Sequence, residues 1–324
     1  MNSYKNSLDI LKEKKVCIIG AGRVGTTLAA LIANMQVPGL TLRAVYSLHE
    51  ESLKRAAKYT GVKRKKILFT KEISECTGGS NCIFICTPDD VIEKACKKIL
   101  SLDLADFTGK LFVHFSGAKT LDVLKSAIDA NAYIASMHPM KSFASIDNSI
   151  KTMQGTVFGV TFQKKCPESV KRAVLFIVHS LGGQPVEVAD ELKSLYHASA
   201  CVASNYLVAL INYAVKIHER IGITPEESLK GLAGLIEGTV DNIKKLGTKK
   251  ALTGPIARGD VGTIKEHLKN FKEQFEENEI DIYRVMGRET SGIAYENGWI
   301  DRDTFKEFEK IFILNGNFKK AKKL

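Results

Sequence analysis

The sequence predicts an α/β fold, with a doubly wound and mostly parallel sheet, followed by an all-helical C-terminal domain. From residue 15 onward, short apolar runs alternate with helical segments, which is the pattern of strands joined by crossover helices. Past residue 189 this alternation stops, and only helical stretches broken by short turns follow. A chain of 324 residues is also too long for one small core. We therefore expect a leader at 1–14, an α/β domain at 15–188 and a helical domain at 189–324.

The elements of the α/β part follow one another as strand, helix, strand. Apolar runs predict strands at KVCIIGAG, LTLRAVYS, NCIFICTP, KLFVHFSG, AYIASMHP, GTVFGVTFQ and GGQPVEV, with KILFT standing before the third of them. Helical segments are predicted at TTLAALIANM, EESLKRAAKYTG, DDVIEKACKKIL, TLDVLKSAIDA and PESVKRAVLFIVHSLG. Because helices separate the strands, we expect mostly parallel pairing, with helices on both faces of the sheet.

The first strand leads into a glycine-rich turn that opens the first helix. Its residues are Gly20, Ala21, Gly22, Arg23, Val24 and Gly25. In a G-x-G-x-x-G turn the first glycine allows the bend, the second lets a pyrophosphate approach the backbone, and the third permits contact between helix and strand. The helix N-terminus adds unpaired N–H groups and a positive dipole end. This placement predicts a Rossmann-type dinucleotide site, and a glycine-rich turn without a ligand is the other interpretation.

The end of the second strand indicates which nucleotide binds. An acidic residue at that point would bind a free ribose 2′-hydroxyl, but the strand ends on Ser47. Arg23, Lys54 and Arg55 supply cations nearby, which favours a 2′-phosphate and therefore NADP(H) over NAD. Two alternatives stay open. Ser47 can form a capping box with Glu50 for the next helix, or Glu50 and Glu51 can approach the ribose.

Three further strands end in polar residues on the same edge of the sheet. These residues are Thr87-Pro88-Asp89, His114 with Ser116, and His138. Ligands of open α/β sheets bind at the carboxyl ends of the strands. We expect Thr87, Pro88 and Ser116 to line the cofactor, and the two histidines to contact the substrate. Each assignment has a structural alternative, since Asp89 can cap the next helix and a histidine can be a satisfied structural residue.

The segment 191–210, ELKSLYHASACVASNYLVAL, carries polar groups on a helix that is apolar on nearly every side. At about 100° per residue, Lys193, His197 and Ser204 share one face, and Asn205 lies at its margin. A helix that is apolar all round is buried, and a buried cation must be paired or must change its pKa. We therefore predict that this face lines a cleft. Lys193, His197 and Asn205 are the candidate catalytic residues, and Ser204 would contact the substrate.

A structural explanation of the same helix stays open. Lys193 can lie in an exposed first turn, and His197 can bond to a backbone carbonyl. The turn ALTGPIARGDVGT at 251–263 is the second candidate for substrate binding. Its Arg258 offers a two-pronged fit to a substrate carboxylate. A surface pair between Arg258 and Asp260 is the alternative.

Composition narrows the class of partner. The net charge of +11 suits nucleic acid, acidic lipids or small anionic ligands. The basic clusters KRKK at 63–66 and NFKKAKKL at the C-terminus lack interleaved aromatic residues, so we interpret them as solvated surface. We expect a small anionic substrate, and neither a nucleic acid nor a membrane as partner.

Cysteine use and the N-terminal sequence favour the cytoplasm. The seven cysteines are irregularly spaced, and Cys82 and Cys86 lack the second pair or histidine that a zinc site needs, so we expect core thiols and no metal. The first 15 residues mix charged with apolar side chains, unlike a secretory signal. No apolar stretch is expected to approach the roughly 18–20 uncharged residues of a membrane span.

Together these segments resemble a family of Rossmann-like proteins whose second domain is helical. The matching segments are GAGRVG at 20–25, Ser47, TPDD at 87–90, HFSGA at 114–118, HPMKSF at 138–143, YHASACVASNY at 196–206 and LTGPIARGD at 252–260. The family is similar to the wider group of 6-phosphogluconate and β-hydroxyacid dehydrogenases, pyrroline-5-carboxylate reductase and ketopantoate reductase. The resemblance implies NADP(H), an active site between domains, and a homodimer formed through the helical domain.

The resemblance also implies a reaction, namely NADPH-dependent reduction of a small 2-oxo acid. Ketopantoate, in pantothenate synthesis, is the best single guess. In the common ketopantoate reductase pattern, lysine and asparagine lie one turn apart on the first long helix. Here that spacing joins Lys193 to His197, with Asn205 farther along, and Leu48 stands where related NADP enzymes often place arginine. An imine reductase and a non-catalytic NADP(H)-binding sensor are the competing hypotheses.

Overall fold

A computed structural model describes residues 12–61, 67–102 and 106–313 of the chain. Within these residues eight strands form one sheet, and their bounds are β1 Lys14–Ile19, β2 Leu40–Tyr46, β3 Leu68–Thr70, β4 Cys82–Ile85, β5 Leu111–His114, β6 Tyr133–Pro139, β7 Val157–Phe162 and β8 Gln184–Glu187. The strand order is β3-β2-β1-β4-β5-β6-β7-β8. All neighbouring strands are parallel except β6 and β7. The predicted mostly parallel sheet is therefore confirmed.

Helices connect the strands and make up the rest of the described chain. Their bounds are α1 Arg23–Met35, α2 Glu50–Thr60, α3 Ile73–Thr77, α4 Ile92–Leu100, α5 Lys125–Asp129, α6 Ile146–Lys151, α7 Glu168–Ser180, α8 Lys193–Cys201, α9 Leu207–Arg220, α10 Pro225–Lys250, α11 Val261–Gln274, α12 Glu277–Glu296 and α13 Arg302–Ile311. A π-helical turn, Val202–Tyr206, joins α8 to α9. Short 3₁₀ turns lie at Leu121–Leu124, Asp190–Leu192 and Ile256–Arg258.

The central strands are buried on both faces, as their continuous apolar runs require. In β4, Cys82 and Phe84 pack into the core on one face of the sheet, while Ile83 and Ile85 pack into the core on the other. Since β1, β4, β5 and β6 are parallel, their carboxyl ends meet along one edge. The glycine turn and the residues that follow β4, β5 and β6 are thus brought to that edge.

The chain divides into two compact units after Leu207, later than the expected boundary at 188–189. The change from strands to helices does occur where expected, because β8 ends at Glu187 and the described elements of residues 208–313 are all helical. The later division arises because α8 is fastened to the sheet. Asp190 accepts a hydrogen bond from the Leu121 backbone N–H (2.9 Å), and Lys193 bonds to residues of β6 and of the turn after β5.

Three segments interpreted from the sequence fall outside the described ranges. They are most of the leader, residues 1–11, and the two basic clusters, at 63–66 and 317–324. The seven cysteines all lie within the described ranges and are free thiols. In the second unit the core consists mainly of aromatic and branched side chains from α11, α12 and α13, with Phe308 and Phe312 almost fully buried.

The expectation that the segment 191–210 is a buried helix is wrong for this chain. Leu195, Val202 and Val208 are 70%, 58% and 67% exposed, respectively. The expectation that no apolar stretch approaches membrane-spanning length is also wrong. The helical segment Asp190–Arg220 is long and apolar enough to cross a membrane by length and composition alone, since residues 194–215 contain no Asp, Glu, Lys or Arg. Sequence composition shows how apolar a helix is, but it does not show what covers the helix.

Candidate active site at the carboxyl edge of the sheet

The glycine turn has the geometry of a phosphate-binding loop. Gly20 has φ +109°, and a Cβ there would lie 2.8 Å from the Cys86 carbonyl oxygen. A Cβ on Gly25 would overlap the Gly20 carbonyl oxygen, whereas a Cβ on Gly22 would meet no atom within 4 Å. The first and third glycines are therefore required by close packing, while the middle one leaves open space beside the backbone.

The helix that follows presents its free N-terminus to that space. Gly22 is the N-cap of α1 and supplies no side-chain cap, and the first backbone bond runs from the Thr26 N–H to the Gly22 oxygen (2.9 Å). The preceding N–H groups have no partner within the helix, as at every helix N-terminus. An open backbone cradle with a positive dipole end fits a pyrophosphate.

Two arginines lie beside this turn, and one of the two competing explanations of Ser47, the capping box with Glu50, does not hold. Arg55 on α2 donates to the Ala21 carbonyl oxygen (2.9 Å), and Arg23 donates to the Ala144 carbonyl oxygen (3.3 Å). The capping box of Ser47 with Glu50 does not form. The Ser47 hydroxyl instead accepts the His49 N–H (3.2 Å), and Glu50 pairs with Lys71. Ser47 is buried at the end of β2, where a carboxylate is missing.

The residues after β4 and β5 are joined to each other. The Ser116 hydroxyl donates to an Asp89 carboxylate oxygen (2.7 Å) and accepts the backbone N–H of Lys119 (3.0 Å). Asp89 therefore does not cap α4, whose N-cap is Val91. The Thr87 hydroxyl oxygen is buried and finds no hydrogen-bond partner within the described part of the chain. A buried hydroxyl without a partner is costly, so a ligand that bonds to it is stabilised.

Lys193 is the main buried cation of this edge. Its side chain is 1% exposed, so the alternative of an exposed first turn is excluded. Its Nζ donates to the Ser136 hydroxyl (2.7 Å) and to the Ser116 carbonyl oxygen (3.1 Å). Burial lowers the pKa of the Lys193 amine from 10.5 to about 8, while the nearby carboxylates of Asp190 and Asp89 oppose that shift.

The two strand-end histidines lie next to this amine and are neutral at pH 7. His114 is fully buried, and its Nδ1 accepts the Ser116 backbone N–H (3.2 Å). Burial, helped by the charge of the adjacent Lys193, lowers the pKa of His114 to about 3. Burial likewise lowers the pKa of His138 to about 4, again helped by Lys193. His138 Nδ1 is buried and has no hydrogen-bond partner among the described residues.

Two glycines make room for the aromatic side chains of α8. The His138 ring packs edge-on against the rings of Tyr196 and His197, with centroids 5.6 and 5.8 Å apart. A Cβ on Gly117 would lie 2.5 Å from His197 Cδ2, and one on Gly159 would lie 2.6 Å from the Tyr196 hydroxyl oxygen. His197 Nδ1 lies 3.6 Å from the Cys201 sulfur, a contact that differs from the structural alternative of a bond to a backbone carbonyl.

The sequence analysis assigned no role in this cluster to Ser136, Gly117, Gly159 or Tyr196, although Gly117 and Tyr196 lie within the matching segments HFSGA and YHASACVASNY. One signal was available for Ser136. It stands two residues before His138 in a strand, and side chains two apart in a strand point to the same face. The glycines gave no such signal, because their contacts come from elements far away in sequence.

The other predicted polar residues of the segment 191–210 are not in this cluster. Ser204 and Asn205 are exposed and lie in the π-helical turn. A π-helix bonds residue i to i+5, so counting about 100° per residue no longer gives the face of residues beyond 201. In the second unit Arg258 is exposed, and Asp260 caps α11 through the Thr263 N–H (3.0 Å) rather than pairing with Arg258. The described residues contain no group of three or more His, Cys, Asp or Glu side chains able to hold a metal ion.

Two family models match the chain, each over less than half of its length. Residues 1–139 are similar to a Rossmann-like domain. Residues 158–290 are similar to the domain of unknown function DUF2520. No curated protein matches the chain.

The chain matches several solved structures of the same fold over almost the whole length of those structures. A Bacteroides fragilis protein assigned as an NADP oxidoreductase has TM-score 0.65 and 18% identity, covering 87% of this chain and 99% of its own. Pyrroline carboxylate reductase of Plasmodium falciparum, with NADP bound, has TM-score 0.55 and 16% identity over 88% and 99%. An imine reductase from Pseudomonas sp. has TM-score 0.56 and 18% identity over 91% and 99%. At these identities the likeness establishes the fold, a Rossmann-like α/β domain followed by a helical region.

Proposed function

We propose that this protein is an NADPH-dependent reductase of small 2-oxo acids. The observation that carries the proposal is the buried Lys193 amine. It is held at the carboxyl edge of the sheet, the same edge that carries the glycine turn and the polar residues after β4 and β5. A buried, shifted amine beside unpartnered polar atoms is the usual signature of a reaction centre rather than of a structural ion pair.

The cofactor part of the proposal rests on the fit of the turn. The open backbone at Gly22 and the α1 N-terminus suit a pyrophosphate, and Arg55, Arg23 and Ser47 suit a ribose 2′-phosphate. Related folds with NADP bound support the same assignment. NADPH supplies the hydride when it is bound. The free hydroxyl of Thr87, together with Pro88 and Ser116, would line its nicotinamide end.

Lys193 is the proposed proton donor. With a pKa of about 8, it is mostly protonated at neutral pH yet gives up its proton more readily than an ordinary lysine. Its positive charge stabilises the negative oxygen that develops as a carbonyl is reduced. His197 lies on the same helix, but its ring packs against the neutral His138 and its Nδ1 contacts the Cys201 sulfur. Lys193 is therefore the better donor of the two predicted from the sequence.

The substrate would be anionic, in keeping with the net charge of +11. His114 and His138 are both neutral, so they would contact the substrate without repelling the Lys193 ammonium. Asn205, Ser204 and Arg258 lie outside this cluster, and their roles in orienting and binding the substrate rest on the sequence alone. Ketopantoate is the 2-oxo acid to test first, with pantothenate synthesis as the pathway that the sequence resemblance suggests.

A second candidate is reduction of a cyclic imine. It is favoured by the likeness to pyrroline carboxylate and imine reductases, and by the Asp89 carboxylate near His138, which would stabilise a protonated imine. The Lys193 ammonium argues against it, because it would repel a cationic substrate. The third possibility, a non-catalytic NADP(H)-binding sensor, predicts binding without turnover.

Cofactor oxidation with a panel of compounds separates these functions. Purified protein with NADPH is offered ketopantoate, other small 2-oxo acids and cyclic imines, and NADPH absorbance is followed. Oxidation with the oxo acids, reduced roughly 100-fold or more in Lys193→Met, supports the proposal. Oxidation with imines alone supports the second candidate. Tight NADPH binding without oxidation by any compound overturns both.

We also propose that the protein acts as a homodimer formed through its helical unit, in the cytoplasm. Ten large apolar side chains of that unit are 38–68% exposed: Val208, Leu210, Ile221, Leu229, Leu235, Ile243, Leu246, Ile282, Val285 and Met286. Together these side chains expose on the order of 1,000 Å², which is enough for a stable interface, since such an interface needs about 800 Å² from each partner. Light scattering should give twice the chain mass of 35.7 kDa, and a monomer at all concentrations would refute the dimer.

A further inference from the structure

The Lys193 amine is held by a hydroxyl in the middle of a strand. Ser136 is fully buried in β6, directly opposite His114 of β5, and its Oγ lies 2.7 Å from Lys193 Nζ. A serine at a fully buried strand position is unusual unless its hydroxyl has a partner. Here the partner is a cation, which makes the bond stronger than one between neutral groups.

The second acceptor of the amine is part of the backbone. The Ser116 carbonyl oxygen lies 3.1 Å from Lys193 Nζ, and the Ser116 side chain is itself fixed by Asp89. An ammonium has three N–H groups. Two of them are directed at β6 and at the turn after β5, which leaves one to point elsewhere. Two fixed acceptors therefore set the direction of the third N–H.

We propose that Ser136 is a positioning residue, which holds the Lys193 amine in the orientation from which it donates a proton to the substrate. This inference rests on the proposed function of Lys193. Ser136 acts through the amine and need not touch the substrate. Its removal leaves the Ser116 carbonyl as the one remaining acceptor among the bonds described above, so the amine is free to swing about that bond.

The electrostatic surroundings of the amine come from every element packed around it. Asp190 of the 3₁₀ turn and Asp89 after β4 favour the charged form, while His114 of β5 and His138 of β6 are neutral at pH 7. His197, on the same helix as the amine, faces His138. Neither carboxylate is within ion-pair distance of Nζ among the described contacts. Loss of the Ser136 hydroxyl should therefore destabilise the ammonium and lower the pKa of Lys193.

Direct titration of the amine tests this without any substrate. The protein is labelled with ¹³Cε-lysine, the Lys193 signal is assigned by its loss in Lys193→Arg, and its pKa is measured by NMR in the cofactor-free full chain. Ser136→Ala should lower that pKa by about one pH unit, the equivalent of one charge-assisted hydrogen bond. Ser136→Thr keeps the hydroxyl and should restore the wild-type value. Ser136→Cys, of similar volume, serves if the alanine variant folds poorly.

The matched control is Ser149→Ala. Ser149 on α6 is equally buried, but its hydroxyl donates to the carbonyl oxygen of Ser145, the N-cap of α6, whereas Lys193 Nζ bonds to Ser116 and Ser136. It should leave the Lys193 pKa unchanged. An unchanged pKa in Ser136→Ala overturns the inference, whatever reaction the protein catalyses.

Turnover supplies the second readout once a substrate is identified. The alkaline limb of the kcat profile should move down in Ser136→Ala by the same amount as the NMR pKa, with KM for NADPH within about twofold of wild type. A shifted pKa with an unshifted kcat limb overturns the inference as well. A shifted pKa in a protein that reduces no compound of the panel refutes the proposed function instead, so the two failures are distinguishable.

Discussion

Replacing Lys193 by methionine should remove a pH dependence of stability that the buried amine creates. In the folded chain the pKa of Lys193 is about 8, against 10.5 for an ordinary lysine. Between these values the unfolded chain binds more protons than the folded chain, so the folded state gains stability as pH rises. Below pH 8 the burial of the charged amine opposes folding by its full amount. Above pH 10.5 that cost is gone.

The size of the effect follows from the two pKa values. Linkage gives a cost of about 3 kcal/mol at pH 7 and about 1.4 kcal/mol at pH 9.5. The free energy of unfolding of wild type should therefore rise by about 2 kcal/mol relative to Lys193→Met between these pH values. Other titrating groups are common to both proteins, and His114 and His138, whose pKa values Lys193 lowers, titrate below pH 7, so their contributions cancel between pH 7 and 9.5.

Urea unfolding of the cofactor-free proteins, followed by far-UV circular dichroism at pH 7 and 9.5, measures this difference. Lys58, exposed on α2, is the matched control, and Lys58→Met should differ from wild type by the same amount at both pH values. If the difference between wild type and Lys193→Met also stays constant, the amine is not held in a water-poor site. The argument for Lys193 as a tuned proton donor would then be refuted.

Four substitutions test the rest of the edge. Gly22→Ala should fold normally, since its Cβ meets open space, yet it should weaken NADPH binding at least about tenfold. Gly25→Ala should instead lose several kcal/mol of stability, because its Cβ overlaps the Gly20 carbonyl oxygen, and equal thermal stability of the two variants would contradict this. Arg55→Ala should raise the Kd for NADPH by about tenfold and the Kd for NADH by less than about twofold, as measured by calorimetry. An equal rise in both Kd values would show that Arg55 does not bind the 2′-phosphate. Gly117→Ala should displace the His197 ring and cost about 1–3 kcal/mol, seen as a lower Tm, and an unchanged Tm would show that the ring yields freely.

Local pattern was enough to predict the sheet and the cofactor turn. Strands such as β4 and β5 are continuous apolar runs, and the glycine spacing at 20–25 has one common structural use, so neighbouring residues carried the information. Local pattern failed where a residue's phase or cover depended on more than its neighbours. The π-helical turn Val202–Tyr206 moved Ser204 and Asn205 off the expected face, and the apolar surface of α8 and α9 was left exposed.

The sequence by itself determined which residues could do chemistry, namely Lys193, His197 and the histidines at the strand ends. Only the tertiary structure decided which of them meet, and that Ser136 joins them. The reason is physical: hydrogen bonds between Lys193, Ser116 and Ser136 span 77 and 57 residues of chain, and desolvation of the amine arises from the packing of α8 on the sheet. Local sequence patterns do not specify contacts between residues so far apart in the chain.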